Sequence, residues 1–451
     1  MNIPTTSMKQ LDESPLTRFH LRVCLYTVGG FFCDGYILGS IGLALPLLTS
    51  EMNLGPWWEG WLAASALIGI FAGALIFGPL TDKIGRQKLL LFDLILFVVA
   101  SLAQLWVTEP VLLLVLRLLL GIAVGADYAI GPALLSEFVP RRFRGRLLSS
   151  MNATWTVGFV ASYGVGIALQ SSMGQDAWKW MLASSAVPAV ITLLMRLGSP
   201  ESPRWLMSKG RVDEAQKIVT KYYGPEYTAQ ELISDEPAQK ANYAALFSRK
   251  YIGRTVFAGM FWFCQVFPYF GIGTFLPRIV ESFGLGEGHM GEILFNVLLL
   301  AGAAAGMFLM DRIPRRAFLI WSFAIVGAAL LYLGIQPNAP LVILVPVFLI
   351  VAFVLSAAAD LETVYPAEIF PTEVRASGVG VASAISRAGA AISALLLPSI
   401  LDDLGIGPTM LILAGVVGLG LVISIPLAPE TRGISLDEAG RAKASPAELK
   451  V

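Results

Sequence analysis

Ionisable side chains lie in the middle of long apolar runs of this 451-residue chain. Charge in such a run is costly and therefore marks a candidate functional residue. Asp34 lies in one run and Arg117 in another. A buried carboxylate and a buried guanidinium that face each other offset part of each other's desolvation, and protonation of the acid would release the arginine. Asp34 and Arg117 are therefore predicted to form either a proton-coupling pair or a static strut between two helices.

One further acid follows Arg117 on the same predicted helix. Asp127 lies ten residues later in the chain, which places it about 100° around an α-helix from Arg117. Either Asp127 is a second acid of the coupling site, or it lines a central cavity as a polar residue.

A second set of polar residues lies in the apolar runs of the C-terminal part. An arginine fork matches a planar carboxylate, so Arg387 is a candidate for binding an anionic substrate. The alternative is an internal salt bridge from Arg387 to Asp360 or Glu362. The predicted substrate contacts are these three charged residues, the amides of Gln265 and Asn296, and three aromatic residues expected to line the same cavity, Tyr36, Trp155 and Phe267.

The composition places these residues in a membrane protein. Apolar residues make up 56% of the chain and charged residues 14%, and the mean hydropathy is +0.70, outside the range of ordinary soluble domains. Uninterrupted apolar runs of this length favour helices over barrel strands, in which apolar residues alternate with polar ones. We predict an all-α membrane protein with twelve spans, numbered in chain order, at roughly 23–50, 58–81, 88–107, 111–137, 147–170, 178–197, 253–282, 290–310, 317–335, 340–364, 376–401 and 407–428.

Three short signatures occur twice in the chain, in the same order. Each returns about 230 residues later, which indicates a duplicated unit. Two parallel halves in a membrane chain are typical of transporters with a site at the interface. We expect an N-terminal half at 1–197, a linker with short amphipathic helices at 198–252, and a C-terminal half at 253–451. The signatures are Asp82-x-x-Gly85-Arg86 with Asp311-x-x-Pro314-Arg315, Glu137-x-x-Pro140-x-x-x-Arg144 with Glu368-x-x-Pro371-x-x-x-Arg375, and Pro200-Glu201-Ser202 with Pro429-Glu430-Thr431.

Lysine and arginine are concentrated in the loops on one side of the predicted spans. Short loops with a positive excess are cytoplasmic, so both termini are predicted to lie in the cytoplasm. The formal net charge is zero, and nothing indicates a nucleic-acid partner. The three cysteines lie inside predicted spans and the two histidines lie far apart in sequence, so no metal site is predicted.

The run Gly78-x-x-x-Asp82-Lys83-x-Gly85-Arg86 closely resembles the cytoplasmic signature of the major facilitator superfamily. The runs that begin at Glu137, Pro200 and Pro429 are similar to the sugar porter signatures within that superfamily. The resemblance covers essentially the whole chain. It implies twelve transmembrane helices in two pseudo-symmetric six-helix halves, and a transporter rather than an enzyme, driven by a proton gradient without a bound cofactor.

The resemblance also implies roles for individual residues. Asp34 and Arg117 fall where proton-coupled sugar porters place their helix 1 acid and helix 4 arginine. A cytoplasmic charge network of the family holds the outward-open state. The predicted gating residues, which match that network or belong to its repeated signatures, are Asp82, Arg86, Glu137, Arg144, Asp311, Arg312, Glu368 and Arg375.

The substrate residues of the sugar porters carry over less well. Their paired glutamines in helix 7 appear here as Cys264-Gln265, and their helix 5 glutamine appears as Phe159. The motif Ser386-Arg387-x-Gly389 instead resembles the aromatic-acid:proton, metabolite:proton and synaptic-vesicle-glycoprotein-like branches. We therefore predict a monomeric inner-membrane symporter that carries a small organic anion with protons. The alternatives are a sugar or polyol porter and a transporter-like receptor that has lost transport.

Overall fold

The computed structural model describes residues 14–232, 243–284, 289–310, 312–371 and 374–432. Within these ranges the protein consists of α-helices and short 3-10 turns, with no strand. The N-terminal helices are α1 (Arg18–Glu51), α2 (Pro56–Ile84), α3 (Arg86–Ala103), α4 (Pro110–Phe138), α5 (Arg141–Met173), α6 (Ala177–Ala183) and α7 (Ala186–Arg196). The linker contains α8 (Pro203–Ser208), α9 (Val212–Tyr222) and α10 (Tyr243–Leu246). The C-terminal helices are α11 (Ile252–Thr274), α12 (Leu276–Ser282), α13 (Met290–Met310), α14 (Arg315–Ile335), α15 (Leu341–Ala358), α16 (Leu361–Ile369), α17 (Arg375–Leu404) and α18 (Ile406–Leu427).

Eleven stretches of the described chain are long and apolar enough to cross a membrane. One of them, Ser150–Arg196, contains 47 residues, about 70 Å of helix, which is twice the thickness of a bilayer core. This stretch turns back at the 3-10 turn Gly174–Asp176, between α5 and α6. It therefore supplies two crossings, and the described chain contains the twelve predicted spans.

Predicted span 7 is divided into α11 and α12, and the division follows from Pro277. Proline has no backbone N–H, so the carbonyl of Gly273, four residues earlier, loses its helical partner. The hydroxyl of Tyr163 on α5 donates a hydrogen bond to this carbonyl at 2.6 Å. The N-terminal half thus satisfies a backbone group of the C-terminal half. Predicted spans 6 and 10 are divided as well, into α6 with α7 and α15 with α16.

Packing follows the same pattern in both parts of the bundle. In the N-terminal part, α1 packs against α5 and α2 packs against α4. In the C-terminal part, α11 packs against α17 and α13 packs against α15. The two parts meet where α2 packs against α17 and α5 packs against α13. Three of the predicted substrate contacts lie on these helices, Trp155 of α5, Asn296 of α13 and Arg387 of α17.

The linker defines one end of the bundle, which we call the linker end. The ring of Phe19, at the start of α1, stacks on Tyr222 of α9 with centroids 4.1 Å apart. The repeated signatures meet at this end. Glu201 accepts the backbone N–H of Arg86 at 3.0 Å, and Glu430 accepts the backbone N–H of Arg315 at 2.9 Å. Each acid thus satisfies a free N–H at the start of α3 or α14, where a negative charge is favourable.

Candidate functional site

Arg387 lies at the interface of the two halves. Its guanidinium carbon is 5.0 Å from the ring centroid of Tyr128 on α4, a cation–π contact between α17 and the N-terminal half. Its Nε atom is buried and has no hydrogen-bond partner, and no carboxylate of the described residues forms an ion pair with it. The predicted internal bridge from Arg387 to Asp360 or Glu362 is therefore absent from this structure. A guanidinium in this position is available to a ligand.

Glu362 and Asp360 are engaged by other side chains. Trp262 Nε1 donates a hydrogen bond to Glu362 at 2.8 Å. Asn152 of α5 donates one to Asp360 at 3.0 Å, which connects the two halves. Arg387 is still within electrostatic range of Glu362. The three charged residues predicted for this site thus lie in one region, with Arg387 as its cation.

The aromatic residues predicted for the cavity separate into two groups. Trp155 packs between the halves, with its ring centroid 6.2 Å from that of Tyr269 and 6.1 Å from that of Phe270. The hydroxyl of Tyr36 is instead hydrogen-bonded to Ser184 within the N-terminal half, at 2.8 Å. The ring of Phe267 packs against Phe263, in its own helix. Of the three aromatic residues, Trp155 is therefore the best placed to contact a ligand at the interface.

The two predicted amides are buried without a full set of partners. Gln265 is 1% exposed, and neither atom of its amide has a hydrogen-bond partner. Asn296 donates to the carbonyl of Glu292 at 2.8 Å, but its Oδ1 atom has no partner. A buried amide without partners is costly. Gln265 is therefore a candidate for binding a polar group of a ligand.

The predicted pair between Asp34 and Arg117 does not form in the structure. Arg117 Nε donates to the carbonyl of Leu62 on α2 at 3.3 Å, and both carboxylate oxygens of Asp34 lack a hydrogen-bond partner. The reason lies in the face of α4 that carries Arg117. Gly121 and Gly125, one and two turns later, contact the backbone of α2 so closely that a Cβ on either would collide with it. Residues spaced by four share a helix face, so Arg117 faces α2 rather than Asp34 on α1.

A buried charge network that the sequence interpretation missed lies beside Asp34. The side chain of Arg196, at the end of α7, is fully buried. It forms ion pairs with Asp127 of α4 at 3.0 Å and with Asp93 of α3 at 3.5 Å. Asp93 interrupts an apolar run as Asp34 does, and that signal was available. Arg196 was overlooked because it lies at the edge of its span, where basic residues usually reach the lipid headgroups.

The gating residues at the linker end form contacts within each half. Arg86 pairs with Glu137 at 3.1 Å. Glu368 accepts a hydrogen bond from Thr431 at 2.6 Å and lies 3.5 Å from Arg315. The guanidinium of Arg375 donates to the carbonyl of Phe370 at 3.1 Å. Arg312 is exposed, the side chains of Asp82 and Arg144 lie outside the described residues, and so does Asp311.

The opposite end of the bundle has an ionic contact between the halves. Arg278 of α12 pairs with Glu59 of α2 at 2.6 Å and with Asp402 of α17 at 3.1 Å. Glu59 belongs to the N-terminal half, and the other two residues belong to the C-terminal half. Among the described residues, no group of three or more His, Cys, Asp or Glu side chains is placed to hold a metal ion. The arrangement offers charge and hydrogen bonds to a solute at the interface, and the ionic contact that joins Arg278 to Glu59 between the halves lies at the opposite end.

Comparison with known proteins identifies the fold and its relatives. The sequence matches the family described as "Sugar (and other) transporter" over residues 23–442. It is 42% identical over 437 residues to the inner membrane metabolite transport protein YgcS of Escherichia coli (strain K12), covering 96% of this chain and 97% of YgcS. The structure aligns with the inward open xylose transporter XylE from E. coli with a TM-score of 0.79 at 21% identity, over 94% of this chain and 99% of that one. The proton:xylose symporter XylE bound to 6-bromo-6-deoxy-D-glucose aligns with a TM-score of 0.72 at 22% identity, over 94% of this chain and 98% of that one. These matches confirm the predicted major facilitator fold and the resemblance to the sugar porters.

Proposed function

Because the chain belongs to the sugar (and other) transporter family, and is thus a membrane transporter rather than an enzyme, we propose that it carries a small organic anion together with protons. Transport proceeds by alternating access of the two halves around the interface that contains Arg387. The membrane is the inner membrane, in which YgcS is named as a transporter of metabolites. No cofactor beyond the proton gradient takes part.

The position of Arg387 is the observation that carries the choice of substrate. Its guanidinium contacts a ring of the other half, has a buried Nε atom without a partner, and forms no ion pair with a described carboxylate. A cation held in this way lacks an anionic counter-charge at contact distance, and an incoming carboxylate would supply one with two parallel hydrogen bonds. Trp155 and Gln265 would contact the remainder of the substrate.

Alternating access is supported by the difference between the two ends. Arg278 joins the halves at the opposite end, whereas the described gating residues at the linker end pair inside their own halves. The linker end carries most of the described lysines and arginines of the loops, so we assign it to the cytoplasm. On this assignment the structure is closed on the outer side, and both termini are cytoplasmic. The likeness to an inward open structure supports the same assignment.

Proton coupling is assigned to Asp34. This carboxyl is fully buried in α1 without a hydrogen-bond partner, and an isolated charge there is costly. A proton removes that cost. XylE, which shares the fold, is described as a proton symporter. We assign the coupling to Asp34 because it lies in the first helix, where its position resembles that of the helix 1 acid of proton-coupled sugar porters.

The proposal is tested with the purified protein. A thermal-shift screen against small carboxylates, each paired with its neutral amide analogue, identifies the ligand, since a ligand at 100 times its Kd stabilises by about 2.7 kcal/mol. The carboxylate that binds is then supplied to proteoliposomes with and without an imposed inward proton gradient. We expect accumulation that depends on the gradient. Equal binding of acids and amides would contradict the choice of an anion, and binding without any uptake would favour a receptor.

A sugar or polyol porter is the second candidate, and the unpartnered amide of Gln265 favours it. Hydroxyl groups both donate and accept hydrogen bonds, so they match an amide with two free ends. A Gln265→Leu variant separates the candidates. The second candidate would be supported over the first if this variant loses affinity for a neutral polyol while Arg387→Ala binds the same polyol as the wild type does.

A further inference from the structure

We infer that the coupling proton is held by a buried cluster of three carboxyls, Asp34, Asp93 and Asp127, whose shared cation is Arg196 rather than Arg117. We call these four residues the Arg196 cluster. The inference deepens the proposed function and rests on its proton coupling.

The geometry of Arg196 makes it the centre of the cluster. Both ends of its guanidinium are used, with Nη2 on Asp127 at 3.0 Å and Nη1 on Asp93 at 3.5 Å. Nη1 also donates to the carbonyl of Leu90 at 2.9 Å. All these groups are buried, and α1 and α3 each pack against both α4 and α7. The four residues therefore come from four different helices of one half.

Gly30 connects Asp34 to the ion pairs of Arg196. Gly30 packs directly on this pair, because a Cβ at its position would collide with Asp127 Oδ2 and Arg196 Nη2. Asp34 lies four residues later and so on the same face of α1. Side chains on a helix lean toward its N-terminus, so the carboxyl of Asp34 leans toward Gly30 and the pair. Asp34 interacts electrostatically with Asp93, Asp127 and Arg196.

A charge count shows why this cluster binds protons. Three carboxyls share one guanidinium, so the cluster is neutral only when two of the three acids are protonated. Both oxygens of Asp34, one oxygen each of Asp93 and Asp127, and Nε of Arg196 are buried without hydrogen-bond partners. Among the described residues, no group takes the place of the water that these atoms lose on burial, so a further negative charge in the cluster would not be stabilised. The remaining titratable or charged groups that face the cluster are Tyr26 and Cys33 of α1, Tyr128 of α4 and Arg387 of α17.

Arg387 gives the cluster a direct connection to the substrate. It lies over the ring of Tyr128, which follows Asp127 on α4, and so brings a positive charge of the other half close to the cluster. An anion bound to Arg387 cancels the positive charge that favours ionised Asp34. Binding of the anion and binding of the proton then favour each other, and the effect is reciprocal. Symport follows from this coupling without a contact between the substrate and Asp34.

Infrared difference spectra of the purified protein between acid and alkaline pH test the inference. A protonated buried carboxyl gives a C=O stretching band that disappears on ionisation. We expect such a band in the wild type, a smaller band in Asp34→Asn, because two acids that share one guanidinium still hold one proton when neutral, and a shift of its midpoint pH in both Asp93→Asn and Asp127→Asn. The control Asp213→Asn, an exposed acid of α9, should leave the band and its midpoint unchanged. A band that is insensitive to all three cluster variants would overturn the inference, and so would a midpoint that moves in Arg117→Gln but not in Asp127→Asn.

A folding comparison covers variants that lose the cation. Arg196→Met leaves three acids without a counter-charge, and we expect little folded protein. Arg196→Met combined with Asp127→Asn removes one member of each sign, so we expect recovery of folded protein and a displaced midpoint pH in the infrared titration. Recovery with an unchanged midpoint would overturn the inference. If the band titrates as expected while uptake ignores the proton gradient, the proposed symport fails and the proton site stands.

Discussion

The two halves share a scaffold but use charge in opposite ways. In the N-terminal half, Arg196 is enclosed with its acidic partners inside four packed helices. In the C-terminal half, two charged residues contact the other half. Arg387 packs on the ring of Tyr128, and Asp360 accepts a hydrogen bond from Asn152. The repeated signatures, by contrast, make equivalent contacts in both halves, as Glu201 and Glu430 do. The duplicated unit therefore supplies the frame, and residues outside the repeat distinguish a charge cluster enclosed in one half from charged residues that contact the other half.

This difference suggests a division of labour under the proposed function. A proton needs only a buried acid and a way to change its surroundings, so it suits an enclosed cluster. An organic anion needs a surface that becomes accessible from each side in turn, so it suits the interface. Arg387 belongs to the interface between the halves and contacts Tyr128, the residue after Asp127 on α4. Under the inference above, it is the residue through which a bound anion would influence the Arg196 cluster.

The largest effect is expected from Asp34→Asn. This substitution keeps the shape of the side chain but cannot bind and release a proton, so accumulation driven by a pH gradient should be abolished while substrate binding and exchange persist. Uptake into proteoliposomes, with and without the gradient, measures both. Asp213→Asn on the exposed face of α9 is the control. Gradient-driven uptake that survives in Asp34→Asn would identify Asp34 as a structural residue.

A large effect on affinity is expected from Arg387→Ala. The loss of a charge-assisted contact costs about 1.5 to 3 kcal/mol, which weakens binding by a factor on the order of 10 to 150. Arg387→Lys should recover part of this, since an ammonium cannot reproduce the bidentate fork. Affinities are measured for a carboxylate ligand and its amide analogue, with Arg211→Ala in the exposed part of the linker as the control. The amide should lose little in Arg387→Ala, and an equal loss for both ligands would refute an anionic contact.

A moderate shift in conformation is expected from Arg278→Ala. This change removes the contact with Glu59 that joins the halves at the opposite end, and with it the contact with Asp402 inside the C-terminal half. Arg278 is partly exposed, so solvent screens its ion pairs and we expect a population shift of about tenfold, near 1.4 kcal/mol. Spin-label distances across the opposite end should lengthen. Distances that stay as in the wild type would show that other contacts close this end.

Glu368→Ala provides the matched experiment at the linker end. Its partners in the structure, Thr431 and Arg315, lie in its own half, yet the sequence predicts a gating role. If it gates, distances across the linker end should lengthen in this variant and in Arg144→Ala, while those across the opposite end should not. A destabilised protein with unchanged distances would assign Glu368 to the scaffold alone.

The sequence predicted the spans well because their signal is local. Twelve apolar runs, with a repeat in register, were sufficient for the fold. The division of span 7 at Pro277 was also visible in the residue types, but the partner of the freed carbonyl, Tyr163, was not. A hydrogen bond between halves depends on packing that hydropathy does not contain.

The helix face on which a charged residue lies was harder to predict than its depth in the membrane. Asp34 and Arg117 lie at suitable depths for a pair, but depth does not determine the helix face. The glycines at 121 and 125 do determine it, because they bring α2 onto the same face as Arg117. The burial of Arg196 was not predicted for a related reason. A basic residue at the edge of its span could equally have reached the lipid headgroups. The burial of Arg196 is known only from the packing of α1, α3, α4 and α7.

The smallest effect is expected from Tyr36→Phe, and a second tyrosine makes it informative. Ser184 already donates to the carbonyl of Met181 at 2.6 Å, so Tyr36 is the donor in the bond between Tyr36 and Ser184. Removal of the Tyr36 hydroxyl therefore leaves Ser184 with its bond to Met181 and no donor without an acceptor. We expect a cost of about 0.5 to 1.5 kcal/mol in the free energy of unfolding and an unchanged substrate affinity. Tyr163→Phe should cost about 1 to 3 kcal/mol, because the carbonyl of Gly273 then has no donor, Pro277 having none to offer. Denaturant unfolding in detergent measures both variants. A loss of substrate affinity in Tyr36→Phe would return Tyr36 to the binding surface and weaken the contrast between an enclosed N-terminal half and an open C-terminal one.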